Sequence, residues 1–243
     1  MTIKRTILAG LLFGTTLTGP AGAGDIAMPE GVVELFTSQG CSSCPPADAN
    51  LADLAKRGDV VALAFQVDYW DYLGWKDTLA SAENTARQQG YAKTLGERSV
   101  YTPQAVLDGR AHVNGADAAS VAAALAGQKL SVAVRLTRDG DRVVAETGAG
   151  PAPENETVIV FAWFKSDATV KVERGENRGT TIHYVNSVVS LGTTGMYHGE
   201  AGRHEMPVSE AAKAGADGVA VLVQEIGVGG APGAILGAAQ IRL

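Results

Sequence analysis

The hydrophobic pattern of the chain changes near residue 129. Before that point, nearly continuous apolar runs at residues 32–36 and 60–67 are separated by a stretch with apolar residues at helical spacing. Apolar runs of strand length are typical of strands covered on both faces, and a strand, a helix and a second strand in succession predict a parallel, right-handed unit. After residue 129, strand-like runs follow one another with only Gly, Asp and Pro turns between them, which predicts antiparallel strands.

The same pattern gives the individual elements. Helices are predicted at residues 46–56, 81–95 and 117–125, the last with Asp117 as its cap. A hairpin is predicted across the Asp108-Gly109 turn. Beyond residue 129 the predicted strands cover residues 130–136, 142–146, 158–164, 170–173, 181–191, 219–224 and 235–241.

These patterns predict two domains after an N-terminal leader. Residues 1–23 combine Lys4 and Arg5, an apolar stretch and an Ala-x-Ala pattern, which together are typical of a secretory signal peptide. An uncleaved N-terminal anchor is the alternative interpretation. Residues 24–128 form the predicted α/β domain and residues 129–243 a mainly antiparallel, β-sandwich-like domain. A single extended α+β domain is the alternative.

Composition and charge restrict the class of protein. Of the 243 residues, 46% are hydrophobic and 19% are charged, as expected for a globular protein. The net charge is −6, and loss of residues 1–23 makes it −8 because they carry two basic residues and no acidic one. So acidic a protein is not expected to bind nucleic acid, and no later stretch predicts membrane insertion. The expected location is therefore periplasmic or secreted.

The two cysteines of the chain lie in one short motif, Cys41-Ser42-Ser43-Cys44, between the first predicted strand and the first predicted helix. A strand that delivers a Cys-x-x-Cys pair to the start of a helix is typical of a thioredoxin-like redox site. Because Pro45 and Pro46 follow, Cys44 is the expected helix cap. In an oxidising compartment, the two thiols are expected to form a disulfide.

A second motif, Thr102-Pro103, precedes the predicted hairpin. The order of elements up to residue 127 resembles that of the thioredoxin superfamily. More narrowly, residues 36–46, 67–71 and 101–104 resemble a family of secreted bacterial thioredoxin-like proteins, which is known mainly as a domain of unknown function followed by a second β-rich domain. The resemblance implies a cis Thr102-Pro103 peptide bond beside the dithiol, where Thr102 and Pro103 would bind an extended substrate.

The resemblance and the residues together predict the roles of the site. Cys41, as the more N-terminal and more exposed sulfur, is the expected nucleophile, and Cys44 is the resolving cysteine. Thioredoxins carry a buried acid near Glu34, which makes Glu34 the candidate for proton transfer to the second sulfur. An outward-facing surface glutamate is the other interpretation. Trp70 lies in the most aromatic stretch of the chain and is a candidate for substrate binding or for packing between domains.

The predicted function is that of a thiol-disulfide oxidoreductase acting on protein cysteines, with protein thiols or disulfides and an unidentified redox partner as its partners. No cofactor is expected. No resident metal is expected either, because two cysteines alone do not make the four-ligand set typical of zinc. Two alternatives remain: an inert disulfide, and a binding module that delivers Cu(I) or holds a partner through the same dithiol. The charged segment at residues 174–179 is predicted to be a solvated loop or a partner-binding loop.

Overall fold

A computed structural model describes residues 28–127 and 129–243, so the predicted signal peptide at residues 1–23 lies outside the described residues. The described chain is a mixed α/β structure with four α-helices, an eight-stranded sheet and a three-stranded sheet. The eight-stranded sheet is mostly antiparallel.

The elements up to residue 127 appear where the hydrophobic pattern predicts them. They are β1 (Gly31–Thr37), α1 (Pro45–Arg57), β2 (Val60–Gln66), α2 (Ala82–Leu95), β3 (Gln104–Leu107), β4 (Ala111–Asn114) and α3 (Ala118–Ala126). β1 and β2 are parallel, while β3 pairs antiparallel with β1 and with β4. The Asp117 carboxylate accepts hydrogen bonds from the first turn of α3, which confirms the predicted cap.

The later elements are mainly β, as predicted. They are β5 (Val134–Asp139), β6 (Arg142–Thr147), β7 (Thr157–Lys171), β8 (Thr181–Met196), β9 (Gly202–Pro207), α4 (Val208–Ala214), β10 (Gly218–Ile226) and β11 (Pro232–Arg242). β5, β6 and β9 form the smaller sheet, which packs on one face of β7 and β10. Strand β9 was not predicted, since its sequence does not alternate cleanly between apolar and polar residues.

The remaining later strands do not form a sheet of their own. The large sheet runs in the order β11-β10-β7-β8-β2-β1-β3-β4, so strands from both sides of residue 129 are hydrogen-bonded in one sheet. The link between them is a single parallel pair, Ala64 of β2 and Ser187 of β8. The strands after residue 129 are therefore mainly antiparallel, as predicted, but some of them share a sheet with β1–β4, and the division into two domains stays a prediction.

The two faces of this sheet have separate cores. On one face, α1 and α3 cover β1, β2 and β3 through a cluster that includes Leu35, Leu51 and Leu125. On the other face, residues of β1 and β2 share one cluster with residues of β10 and β11 and with Tyr91 of α2. Because apolar side chains cover both faces, all seven residues of β2 are buried.

β7 and β8 form a long hairpin that extends beyond the sheet. After a register shift at Trp163/Phe164, residues 165–172 and 180–187 form a two-stranded ribbon, which we call the arm. The arm contacts α1 and buries Val172, Ile182 and Tyr184 against Trp75 and its neighbours. Residues 173–179, which we call the tip, connect the two strands and bring residues of the C-terminal half to the Cys-x-x-Cys motif.

Candidate functional site

The two cysteines form a disulfide at the start of α1. Cys41 and Cys44 are bonded to each other, with their Cα atoms 5.4 Å apart. Cys44 is the residue that precedes α1, as the sequence predicted, and the helix begins at Pro45, one residue before its predicted start. The loop is a tight turn, in which the Cys44 backbone N–H donates to the Cys41 carbonyl at 3.2 Å. The Cys41 sulfur lies 3.4 Å from the Ser43 hydroxyl.

Both cysteines are buried. Cys41 is 1% exposed and Cys44 is 0% exposed, while Ser42 and Ser43 between them are exposed. The expectation that Cys41 would be an exposed sulfur is therefore wrong for the described structure. The physical reason is a cover contributed by distant parts of the chain, which no pattern near Cys41 could have indicated.

The tip of the arm is hydrogen-bonded to the backbone of the dithiol loop. The side-chain amide of Asn177 donates to the Gln39 carbonyl at 3.0 Å and to the Cys41 carbonyl at 2.8 Å. The Glu176 carboxylate accepts a longer bond, at 3.4 Å, from the Ser42 backbone N–H. The segment predicted to be a solvated or partner-binding loop is thus docked on the dithiol loop of its own chain.

A second group of contacts fixes the residues just before Cys41. The Gln39 backbone N–H donates to the Asp77 carboxylate at 2.7 Å, and the Gln39 side chain accepts from the Trp75 indole N–H at 2.8 Å. Burial raises the pKa of Asp77 to about 6. Trp75, part of the aromatic stretch, is half-buried and contacts the dithiol loop through this hydrogen bond.

The three predicted substrate-binding residues lie beside this loop. The Trp70 indole N–H donates to the Thr102 hydroxyl at 2.8 Å, and the Thr102-Pro103 peptide bond is cis, as predicted. A Cβ atom added to Gly40 would lie only 3.0 Å from the Trp70 Cβ, so Trp70 packs directly on the residue before Cys41. Trp70 and Thr102 are thus brought to the dithiol loop, and their role in binding a substrate stays a prediction.

Glu34 does not lie beside the dithiol loop. It is 0% exposed, so the surface interpretation is wrong. It alternates with Val33 and Leu35, which face α1, and its carboxylate accepts two hydrogen bonds from the Arg87 guanidinium, at 2.6 Å and 3.1 Å. Glu34 is therefore bonded to α2 on one face of the sheet, whereas α1, which begins just after Cys44, covers the other face.

A different buried acid lies next to the dithiol. Asp48 is 4% exposed and follows Cys44 by one turn of α1, with its backbone N–H donating to the Cys44 carbonyl at 3.1 Å. One carboxylate oxygen accepts from the Thr37 hydroxyl at 2.7 Å, and the other has no hydrogen-bond partner among the described residues. Burial, opposed by the Thr37 bond and reinforced by the charge of Asp77, raises the pKa of Asp48 to about 7.

Tyr184 of the arm completes this group. Its side chain is 1% exposed and its hydroxyl has no hydrogen-bond partner in the described part of the chain. Burial, together with the charges of Asp48 and Asp77, raises the pKa of the Tyr184 hydroxyl. Sequence reasoning missed Asp48, although an acidic residue beside the core-facing Ala47 and one turn before Leu51 is a signal that could have been used.

Two further observations concern ligands and membranes. Among residues 28–127 and 129–243, no group of three or more His, Cys, Asp and Glu side chains is arranged to hold a metal ion. Over the same residues, no helix has the length and apolar character needed to cross a bilayer.

Comparison with known proteins gives a family and a related structure. A search of curated proteins found no match to this chain. The crystal structure of a protein from Agrobacterium tumefaciens, a structural-genomics target, is similar to this one with a TM-score of 0.80 and 44% sequence identity. The match covers 88% of this chain and 95% of that one. The family described as "Protein of unknown function (DUF1223)" matches residues 32–224, and the chain belongs to this family.

Proposed function

We propose that this protein is an exported thiol-disulfide oxidoreductase that acts on protein cysteines through Cys41 and Cys44. The observation that carries the proposal is the Cys41–Cys44 disulfide at the N-terminus of α1, with the half-satisfied carboxyl group of Asp48 one turn further on. A disulfide that closes so short a loop contributes little to stability, because the entropic effect of a crosslink grows with loop length. Stabilisation alone is therefore a poor reason for the pair.

The surrounding topology supports a thioredoxin-like interpretation of residues 24–128. The strand order β2-β1-β3-β4, with β1 and β2 parallel and the last two strands antiparallel, places the Cys-x-x-Cys loop after β1 and the cis Pro103 before β3. The β-rich residues 129–243 then form a second unit whose arm reaches the site.

The proposed exchange has two steps. A substrate thiolate attacks the Cys41 sulfur; a substrate–Cys41 disulfide forms, the Cys41–Cys44 bond breaks, and the Cys44 sulfur leaves as a thiolate. A second substrate thiolate then attacks the substrate sulfur of the mixed disulfide and releases Cys41 as a thiolate. The substrate loses two electrons and the Cys41–Cys44 pair gains them. A redox partner reverses the change, and reduction of a substrate disulfide follows the same steps backwards.

Charges and hydrogen bonds near the sulfurs fit this sequence. The Ser43 hydroxyl is placed to donate to a Cys41 thiolate. Pro45 and Pro46 have no backbone N–H, and the N–H groups of Ala47 and Asp48 both donate to the Cys44 carbonyl. Stabilisation of a Cys41 thiolate by α1 therefore comes from the helix dipole and not from a free N–H group. Burial raises the pKa of Asp48 to about 7, so its carboxyl group can hold a proton near neutral pH, and Asp48 is proposed to supply it to Cys44. Glu34 is held by Arg87 instead, so we move the proton-transfer role proposed for Glu34 to Asp48.

Cysteine substitutions test the reaction directly. Cys41→Ser should abolish exchange, while Cys44→Ser should accumulate a mixed disulfide through Cys41, seen by mass spectrometry after reaction with a disulfide-containing protein substrate. If Cys44→Ser forms no adduct with any such substrate, the catalytic assignment is wrong. A dithiol used only for binding, such as Cu(I) delivery, would then take its place.

The reduction potential of the pair provides an independent measurement. Exchange catalysts have potentials of about −270 to −120 mV, whereas structural disulfides lie below about −300 mV. Alkylation after equilibration in defined redox buffers should place the Cys41–Cys44 pair in the upper window. A value below that window would make the disulfide an inert crosslink.

A further inference from the structure

We propose that the tip is a gate over Cys41, latched by Asn177, and that a protein thiol reaches the Cys41 sulfur only after the tip has moved. The identity of the substrate rests on the proposed function above. The gate itself concerns only how accessible the disulfide is, and it can be tested with a small reagent.

The need for a gate follows from the geometry of exchange. A thiolate attacks a disulfide sulfur in line with the bond that breaks, so a substrate has to approach Cys41 from the side opposite Cys44. The 1% exposure of Cys41 leaves no room for a cysteine carried by another protein chain. Either the disulfide does not exchange with proteins, or something that covers it moves.

The tip is attached to the dithiol loop through few side chains. Its residues are mostly exposed, and Asn177, at 6% exposure, is its one buried side chain. Both amide hydrogens of Asn177 are used in the bonds to the Gln39 and Cys41 carbonyls. The Asn177 backbone is also fixed, since its carbonyl accepts from the Thr180 hydroxyl at 2.6 Å. One side chain therefore carries most of the attachment.

The arm behind the tip is held much more firmly. Val172 and Tyr184 are 0% and 1% exposed, and they pack against the loop that contains Trp75. At the base of the arm, the Asp217 carboxylate accepts from the Ser166 backbone N–H at 2.6 Å and from its hydroxyl at 2.8 Å. Movement of the whole arm would expose this core, whereas movement of the tip alone would not.

The tip also contains residues suited to a change of backbone conformation. Gly175 and Gly179 adopt left-handed φ angles of 78° and 85°, one on each side of Asn177. A Cβ atom added to Gly175 would lie 3.5 Å from the Trp75 Cβ, while one added to Gly179 would contact nothing within 4 Å. Glycines on both sides allow the latch to swing outward without displacing β7 or β8.

The gate predicts that loss of the latch exposes the disulfide. In the full-length oxidised protein, Asn177→Ala removes both hydrogen bonds, and Asn177→Asp replaces the donors by a carboxylate that faces two carbonyl oxygens. The rate of disulfide reduction by the phosphine TCEP, followed by alkylation and mass spectrometry, should rise about 10-fold in both variants. Arg178→Ala is the matched control, because Arg178 is an exposed neighbour in the same tip.

The outcomes separate the gate from the proposed function. Native melting temperatures with wild-type reduction rates in both Asn177 variants would overturn the gate. Faster reduction by TCEP in those variants, with the control unchanged, supports it. If those faster variants, combined with Cys44→Ser, still form no mixed disulfide with a protein substrate, the gate stands and the proposed function is lost.

Discussion

The buried acids Glu34 and Asp48 lie on opposite faces of the same sheet and show that burial alone does not make a carboxylate a proton carrier. Glu34 is 0% exposed and is paired with Arg87, which also bonds Tyr91 and Gln224. Asp48 is 4% exposed, has one neutral donor in Thr37, and has another acid, Asp77, nearby. A positive partner stabilises the charged form of a buried acid, and the lack of one favours its proton.

The pairing of Glu34 also has a structural role. Arg87 is buried, at 8% exposure, and although burial disfavours its charge, Glu34 and Tyr91 hold its pKa above the ordinary value. Its guanidinium lies 5.3 Å from the centre of the Phe65 ring and 5.2 Å from that of Tyr91. This group joins α2, β1 and β10, so it links the sheet strands on the two sides of residue 129.

The largest expected effect comes from breaking this ion pair. Arg87→Met leaves the Glu34 carboxylate buried without a partner and should lower the free energy of unfolding by about 3–5 kcal/mol. Urea titration at pH 7 measures this change in the free energy of unfolding. The double variant Glu34→Leu, Arg87→Met should recover most of the loss, while Arg57→Met, at the exposed pair with Glu30, should cost far less. An Arg87→Met variant as stable as wild type would contradict the view that the Glu34–Arg87 pair stabilises the fold.

The next effect is the pH dependence contributed by Asp48. The pKa of Asp48 rises from its ordinary value of 3.8 to about 7 on folding, so the folded protein binds more protons between these values. The contribution to stability therefore falls as pH rises through 7, by about 2–3 kcal/mol between pH 5 and pH 8.

Asp48→Asn removes this dependence. Relative to wild type, the variant should gain stability at pH 8 but not at pH 5, as measured by urea titration at both values. Asp53→Asn is the matched control, since Asp53 lies on the same helix and is 77% exposed at its side chain. An equal change at both pH values would show that Asp48 stays ionised throughout and cannot donate a proton to Cys44.

The smallest expected change in stability comes from a comparison of two buried tyrosines, one with hydrogen-bond partners at its hydroxyl and one without. The Tyr91 hydroxyl accepts from Gln224 at 2.7 Å and from Arg87 at 3.2 Å, whereas the Tyr184 hydroxyl has no partner in the described structure. Tyr91→Phe should therefore lower the free energy of unfolding by about 1–2 kcal/mol, and Tyr184→Phe should leave it unchanged or slightly raise it. Thermal unfolding of both variants measures the difference. Equal losses would mean that the Tyr184 hydroxyl has a partner after all.

Signals close together in the sequence predicted much of the fold before residue 129. The position of Cys44 just before α1 and the cap at Asp117 each depend on neighbouring residues, and the structure confirms them, although α1 begins at Pro45, one residue before the predicted start. The cis Thr102-Pro103 bond is also confirmed, through resemblance rather than pattern. These features do not depend on which residues pack on the other face of the sheet.

Features that depend on distant contacts escaped prediction. The bonds from Asn177 to the dithiol loop span 136 and 138 residues, and the joining of β8 to β2 depends on one residue pair. Residues 158–164 and 170–173 were predicted as separate strands because polar residues lie between them, yet β7 is continuous for 15 residues. The polar residues fall in the arm, where one side of the ribbon is exposed to solvent.

The position of the tip in the chain also sets an order of events during synthesis. All residues of the dithiol loop emerge well before Asn177, which follows Cys41 by 136 residues. A chain that grows from its N-terminus can therefore bring the two thiols to an oxidant while the arm does not yet exist. The newly made protein and the finished protein thus present the same two sulfurs with different accessibility, and the disulfide can form in the first and be stored in the second.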